Sequence, residues 1–205
     1  EIRNWDWSSD VCSSDLGRPP LVRFGFRPAL RAGALAFAQV LKSMLVYACI
    51  SSHGYGHASR TAAVLCELAR LAPQCRLVLS TAVNPAFLRL AMGETPFELR
   101  ECRWDIGMLQ ANALEVDPEG TLRALESLEE QLPAQVEEEV AWLKAQATRT
   151  FILGDVPPSA ARLARPTNSP LIWLASFGWE SIYGPLGDAF APWADQALEH
   201  YRQGS

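Results

Sequence analysis

The sequence predicts an α/β domain built on a mostly parallel sheet. Two observations carry that prediction. From Met44 onward, short continuous apolar runs alternate with helical patterns, as strands buried on both faces alternate with crossover helices. Three of those runs end in loops rich in glycine, proline or aromatic residues: SSHGYGH, GDVPP and SFGWE. In open parallel sheets ligands occupy the crevice at the carboxyl ends of the strands, so function is expected at these loops.

The elements follow in order. Leu45–Ile50 (LVYACI) has the pattern of a buried strand. After the first loop, Ala58–Leu71 places Ala62, Leu65, Leu68 and Leu71 on one helical face, with Ser59 available as its cap. Arg76–Ser80 is a second strand, Asn84-Pro85 opens a helix over Pro85–Met92, and Phe97–Arg100 is a weaker strand. Asp105–Asp117 reads as a loop. Glu119–Ala147 is a long helical stretch, expected to break or bend at Pro133. Its run Glu137, Glu138, Glu139 is expected on a solvated face. Thr150–Leu153 begins the next strand, Ser159–Ala164 is helical, and Leu171–Ala175 is expected to be another buried strand. Two further helices follow, the last ending near Tyr201.

Composition divides the chain. Residues 1–43 carry six Lys/Arg against four Asp/Glu, whereas residues 44–205 carry twelve against nineteen. Residues 1–43 are therefore expected to be an artefactual or disordered leader, and 44–205 the folded domain. The segment Asp6–Leu16 (DWSSDVCSSDL) resembles the translation of a sequencing-adapter oligonucleotide. A basic transit-like or signal-like leader is the rival reading of Gly17–Ser43. The net charge of −5 argues against nucleic acid as the main partner. No apolar run reaches the roughly 18–20 residues of a transmembrane helix, and a cytoplasmic location is expected. Five cysteines without a C-x-x-C pair read as reduced thiols.

The loop SSHGYGHASR can be tested against known chemistries. A dinucleotide fingerprint would need a third glycine where Ser59 stands, and an acidic residue where the second strand ends in Ser80-Thr81. A phosphate-binding P-loop needs Gly-Lys-Ser/Thr, and no lysine lies between Lys42 and Lys144. An H-x-G-H nucleotidyltransferase pattern fails at Gly54. His53 and His57 have the i, i+4 spacing of two metal ligands, but two glycines lie between them and no partner set is nearby, so no metal and no cofactor is expected. What remains is a strand–glycine turn–helix with histidines at its rim. A ligand loop and a plain tight corner both fit it, and the density of glycine and histidine favours a site.

The run LVYACISSHGYGHASRTAAVLCELA, followed by GDVPPSAARLA and ASFGWESIYG, resembles the glycosyltransferase-like domain of bacterial MurG-like proteins. It resembles more closely the N-terminal region of plant L-arabinokinases. The resemblance runs from Met44 to about Tyr201. It implies a GT-B fold, in which two Rossmann-like halves face each other across a cleft, and it implies that this chain is the N-terminal, acceptor-side half, truncated. The bacterial transferases are richer in glycine where this chain has Ser52, His53 and Tyr55, a departure that bears on diphosphate-lipid binding.

By that resemblance, His57 is the candidate base, with Asp155 orienting or charging it. The candidate substrate-binding residues are His53, Gly54, Tyr55, Gly56, Arg60, Phe177, Trp179 and Glu180. Trp179 would stack on a sugar ring, and Glu180 would accept its hydroxyls. Asp155 read alone is equally a helix cap, and Trp179 equally a core residue. The expected partners are a nucleotide-sugar donor, bound by a C-terminal half outside this chain, and a sugar or glycoconjugate acceptor. The chain by itself is expected to show no turnover. The alternative is a non-catalytic sugar-binding module fused to a GHMP-type sugar kinase such as L-arabinokinase.

Overall fold

A computed structural model describes residues 44–203. The expectations for the leader, including Cys12 and the adapter-like segment, lie outside the described residues. Five strands form one wholly parallel sheet: β1 (Met44–Ile50), β2 (Arg76–Ser80), β3 (Glu98–Arg100), β4 (Arg149–Asp155) and β5 (Leu171–Trp173), in the order β3-β2-β1-β4-β5. This is a Rossmann-like arrangement. The direction of strand addition reverses between β1 and β4, which opens a crevice at their carboxyl ends.

Side chains of β1 alternate between two cores. Leu45, Tyr47 and Cys49 meet Leu128, Leu132 and Leu143 of α3 (Pro118–Ala145) and Leu163 of α4 (Ala161–Thr167). Val46, Ala48 and Ile50 meet Ala58, Ala62 and Leu65 of α1 (Tyr55–Leu71) and Leu88 of α2 (Pro85–Met92). A third cluster joins Val156 to Trp179 and Tyr183 of α5 (Trp179–Tyr183), to Phe190, and to Ala194 and Ala197 of α6 (Ala191–Arg202).

Several expectations change in detail. Helix α1 begins at Tyr55, three residues before the expected start, so Ser59 lies inside the helix and does not cap it. Gly54 is the N-cap, at φ +87°, and no side chain satisfies the first amides. Helix α3 runs unbroken through Pro133, because Leu132 and Leu143 on either side of it are held in the core. Asp117 caps that helix, accepting from the Gly120 amide at 2.8 Å.

The expected solvated face of α3 is wrong at one residue. Glu137 and Glu138 are exposed, but Glu139 is buried against Arg100 and Tyr47. Strand β5 is also shorter than expected and is the sheet's edge, so Ile172 is half exposed. Among the described cysteines, Cys49, Cys66 and Cys102 are free thiols, Cys49 and Cys102 buried. No helix among the described residues is long and apolar enough to cross a membrane.

Candidate active site

The crevice between β1 and β4 is built by four side chains. Helix α1 carries His57, Arg60 and Thr61 at i, i+3 and i+4, so all three face the same way. They converge on Asp155, the last residue of β4, whose side chain is fully buried. His57 Nδ1 lies 3.2 Å from Asp155 Oδ1. Arg60 Nη2 donates to the same oxygen, and the Thr61 hydroxyl donates to Oδ2. A buried carboxylate persists only when its oxygens are satisfied, and here a guanidinium and a hydroxyl do so directly.

Arg60 also joins the three loops singled out in the sequence. Its Nη2 donates to the Leu174 carbonyl at 3.2 Å and its Nη1 to Ser176 Oγ at 3.3 Å, which ties α1 to the segment after β5. Arg60 Nη2 is also 3.3 Å from His57 Nδ1. That nitrogen takes one partner at a time: it donates to Asp155, leaving Nε2 an acceptor, or it accepts from Arg60, leaving Nε2 a donor.

The backbone beneath Asp155 is strained. Val156, β-branched and fully buried, has φ +76° just before Pro157. The Tyr201 hydroxyl holds this turn by donating to the Val156 carbonyl at 2.5 Å, and it accepts from the Trp179 amide at 3.2 Å. One residue of α6 thus clamps the strand exit to the start of α5.

The aromatic residues form a wall. Phe177 is edge-on to His57, with centroids 5.9 Å apart, and to Trp179 at 5.3 Å. Trp179 is edge-on to His53 at 5.5 Å and stacks on Tyr183. Only 2% of Trp179 is exposed, so it backs His53 and Phe177 and presents no open face for a sugar ring. Tyr55 is exposed but stacked on Phe87 of α2 at 4.2 Å, apart from the His57 cluster. Glu180 opens α5, and its Oε2 is buried without a hydrogen-bond partner among the described residues. Gly54 and Gly56 lie at the α1 N-terminus with open space over their α-carbons.

The structure adds residues that the sequence did not single out. Thr61 read only as a polar position in an amphipathic helix, and Ser176 only as part of a loop. Asp105 lies in the predicted loop after β3. It is 3% exposed, and its Oδ2 accepts from the Trp179 indole at 3.0 Å. Burial pushes its carboxyl above the usual aspartate range, opposed by the Ser51 hydroxyl, the Trp179 indole and the two loop histidines. No periodicity marks an isolated aspartate in a loop, so the sequence offered no signal for it. No cluster of metal-ligating side chains occurs among the described residues.

Comparison with known proteins supplies one relative. The chain is 30% identical over 142 residues to the L-arabinokinase of Arabidopsis thaliana. The match covers 65% of this chain but 13% of that protein. No family model and no solved structure matches the chain.

Proposed function

We propose that residues 44–205 are the acceptor-side half of a glycosyltransferase-like protein, whose second half binds a nucleotide-sugar donor. The carrying observation is the His57–Asp155 pair at the crevice where strand order reverses. An inverting transfer needs a base that removes the acceptor hydroxyl proton as oxygen attacks the anomeric carbon. In the proposed reaction His57 Nε2 takes that proton, while Asp155 holds Nδ1–H and balances the imidazolium that forms. The sugar–phosphate bond breaks as the new bond to the acceptor oxygen forms, and the nucleoside diphosphate leaves with the bonding electrons. Arg60 competes for Asp155 and so tunes how strongly His57 is oriented.

His53, the Gly54 and Gly56 amides, Phe177 and Glu180 are proposed to line the acceptor side. Tyr55 and Trp179 are assigned lesser, supporting roles, because Tyr55 is engaged by Phe87 and Trp179 is buried. The test is transfer from a panel of UDP-sugars by the longer protein that carries this chain, with and without His57→Ala. Loss of transfer with an unchanged fold supports the proposal, and unchanged kcat removes His57 from the mechanism.

The similarity to a sugar kinase supports a second reading. In it the same crevice binds a sugar without transferring it, within a protein whose chemistry resides in another domain. Monosaccharide binding at this crevice, together with no transfer from any UDP-sugar, would select that reading.

A further inference from the structure

The turn between β3 and the 109–117 loop touches the site from a side that neither reading uses. Gly107 has φ +74°, a conformation that disfavours any side chain. A Cβ at this position would stand 2.4 Å from His53 Cγ and Nδ1 and 2.7 Å from His53 Cβ. These atoms lie near the root of the histidine, so a methyl group at 107 would push the whole ring aside. On its other side the ring meets the edge of Trp179. Its backbone amide donates to Ser51 Oγ at 3.2 Å.

The Trp179 indole is in turn held by Asp105, two residues before Gly107, and the Tyr183 hydroxyl donates to the Gly107 carbonyl at 3.1 Å. His53 nevertheless remains exposed. A side chain fixed at its root and open at its edge is the pattern of a preorganised ligand contact, since immobilising it beforehand lowers the entropic cost of binding.

We propose that Asp105 and Gly107 form a third wall of this centre and act as positioning residues that aim the His53 imidazole at a sugar hydroxyl. The proposal rests on the reading of the crevice as a sugar site, and it is independent of whether His57 performs transfer. Gly107 acts through His53 directly. Asp105 acts through Trp179 and through the Ser51 hydroxyl beside it. The imidazole offers one nitrogen to a hydroxyl as donor or acceptor, a contact suited to a polyhydroxylated ligand and not to an apolar one.

The test uses the 205-residue chain, with its histidine ring resonances assigned by NMR and L-arabinose, D-galactose and D-glucose as probes. In the unmodified protein, at least one of the three sugars is expected to move the His53 resonances. Gly107→Ala is expected to shift those resonances before any sugar is added and to weaken binding about 5-fold, the effect of one misplaced hydrogen bond. In a His53→Gly background, which removes the Cβ as well as the ring, Gly107→Ala is expected to add no further loss of sugar binding. Asp105→Asn keeps an acceptor for the Trp179 indole and is expected to leave the His53 resonances in place, whereas Asp105→Ala moves them.

Additive losses from Gly107→Ala and His53→Gly would overturn the proposal, as would His53 resonances unmoved in Gly107→Ala. So would the absence of any response to all three sugars. Failure of His57→Ala to alter transfer, with these outcomes intact, would refute the transfer reading alone.

Discussion

Two buried carboxylates in this domain, Asp155 and Glu139, each hold an arginine, yet they are built for different ends. Glu139 sits in the last third of α3, 2% exposed. Both its oxygens are taken by Arg100, with Nη2 at 2.6 Å from Oε1, and the Tyr47 hydroxyl donates to Oε2 at 2.5 Å. The network is closed by Ser80, 2.8 Å from the Tyr47 oxygen and accepting from the Trp104 indole at 2.8 Å. Arg100 itself lies over the Trp142 ring at 4.5 Å. Burial and the nearby Glu139 charge push the Tyr47 hydroxyl well above its usual range and the Cys102 thiol up to about 11, so neither ionises near neutrality.

Asp155 differs in the chemistry of its partners. One is an imidazole with a second nitrogen left over, and another is an arginine whose side chain is one-third exposed. It also lies where the sheet reverses strand order, whereas Glu139 lies on the flank of α3 against β3. A buried, arginine-paired carboxylate is therefore no sign of function by itself. What sets Asp155 apart is its histidine partner, and the proposed function rests on that pair.

Substitutions at the two sites should separate activity from stability. On the proposed transfer, the largest expected effect is on rate: His57→Ala should lower it by about 10²–10⁴-fold, the usual contribution of general base catalysis. Its urea midpoint should stay near that of the parent, because His57 is only one of three groups that satisfy Asp155. An equal loss of stability would place His57 in the structural class of Glu139.

Glu139→Ala should do the reverse. It leaves Arg100 only the exposed Glu138, 3.5 Å away, as an ion-pair partner and the Tyr47 hydroxyl only Ser80, and the break of such a buried pair costs up to about 3–5 kcal/mol. Urea denaturation should show this as a lower midpoint. Sugar binding at the crevice should be unchanged at urea concentrations where the variant is still folded. Loss of sugar binding in the folded variant would mean that the two carboxylates are coupled.

Thr61→Val is the smaller probe of the Asp155 side. It keeps the shape of a fully buried side chain but removes the hydroxyl that donates to Asp155 Oδ2. The expected cost is about 1–3 kcal/mol, that of an unsatisfied buried acceptor. A neutral result would mean that Arg60 and His57 suffice to satisfy the carboxylate.

Much of the sheet was legible in the sequence because each strand of a parallel α/β domain is a local apolar run. The runs at 45–50, 76–80 and 150–153 all lie inside observed strands. The position of the histidine–glycine loop was legible for the same reason, since a loop directly after a buried strand has a fixed place in such sheets. What stayed hidden is non-local. Glu139 stands seven residues after Leu132 and four before Leu143, so helical periodicity places it, and not Glu137 or Glu138, on the buried face; what no local pattern shows is its partner, Arg100 on a distant strand. The burial of Trp179 depends on Tyr183, Tyr201 and Asp105, which lie up to 74 positions away in sequence. Tyr55 looks like a loop residue until α1 is seen to begin there, which turns the ring toward Phe87.

The weakest expected effect distinguishes the two regions by pH. Asp105 lies between them, on the loop that carries Trp104 into the Glu139 network and Gly107 against His53. Its folded-state pKa is raised by burial, so the native state holds the proton more tightly than the unfolded chain does. From about pH 3.9, the ordinary aspartate value, the unfolded state releases this proton first. The stability contributed by the protonated group is then lost as pH rises through the folded value. Asp105→Asn removes the titration while keeping an acceptor for the Trp179 indole. Relative to the parent, the variant should gain stability as pH rises above about 4, and the difference should level off once the native carboxyl has ionised. Urea midpoints measured from pH 3.5 to 8 would test this, and a constant difference would show that Asp105 is solvated well enough to ionise normally. A rising difference that comes with unchanged His53 resonances would separate the charge of Asp105, which costs stability, from its hydrogen bond, which positions the wall.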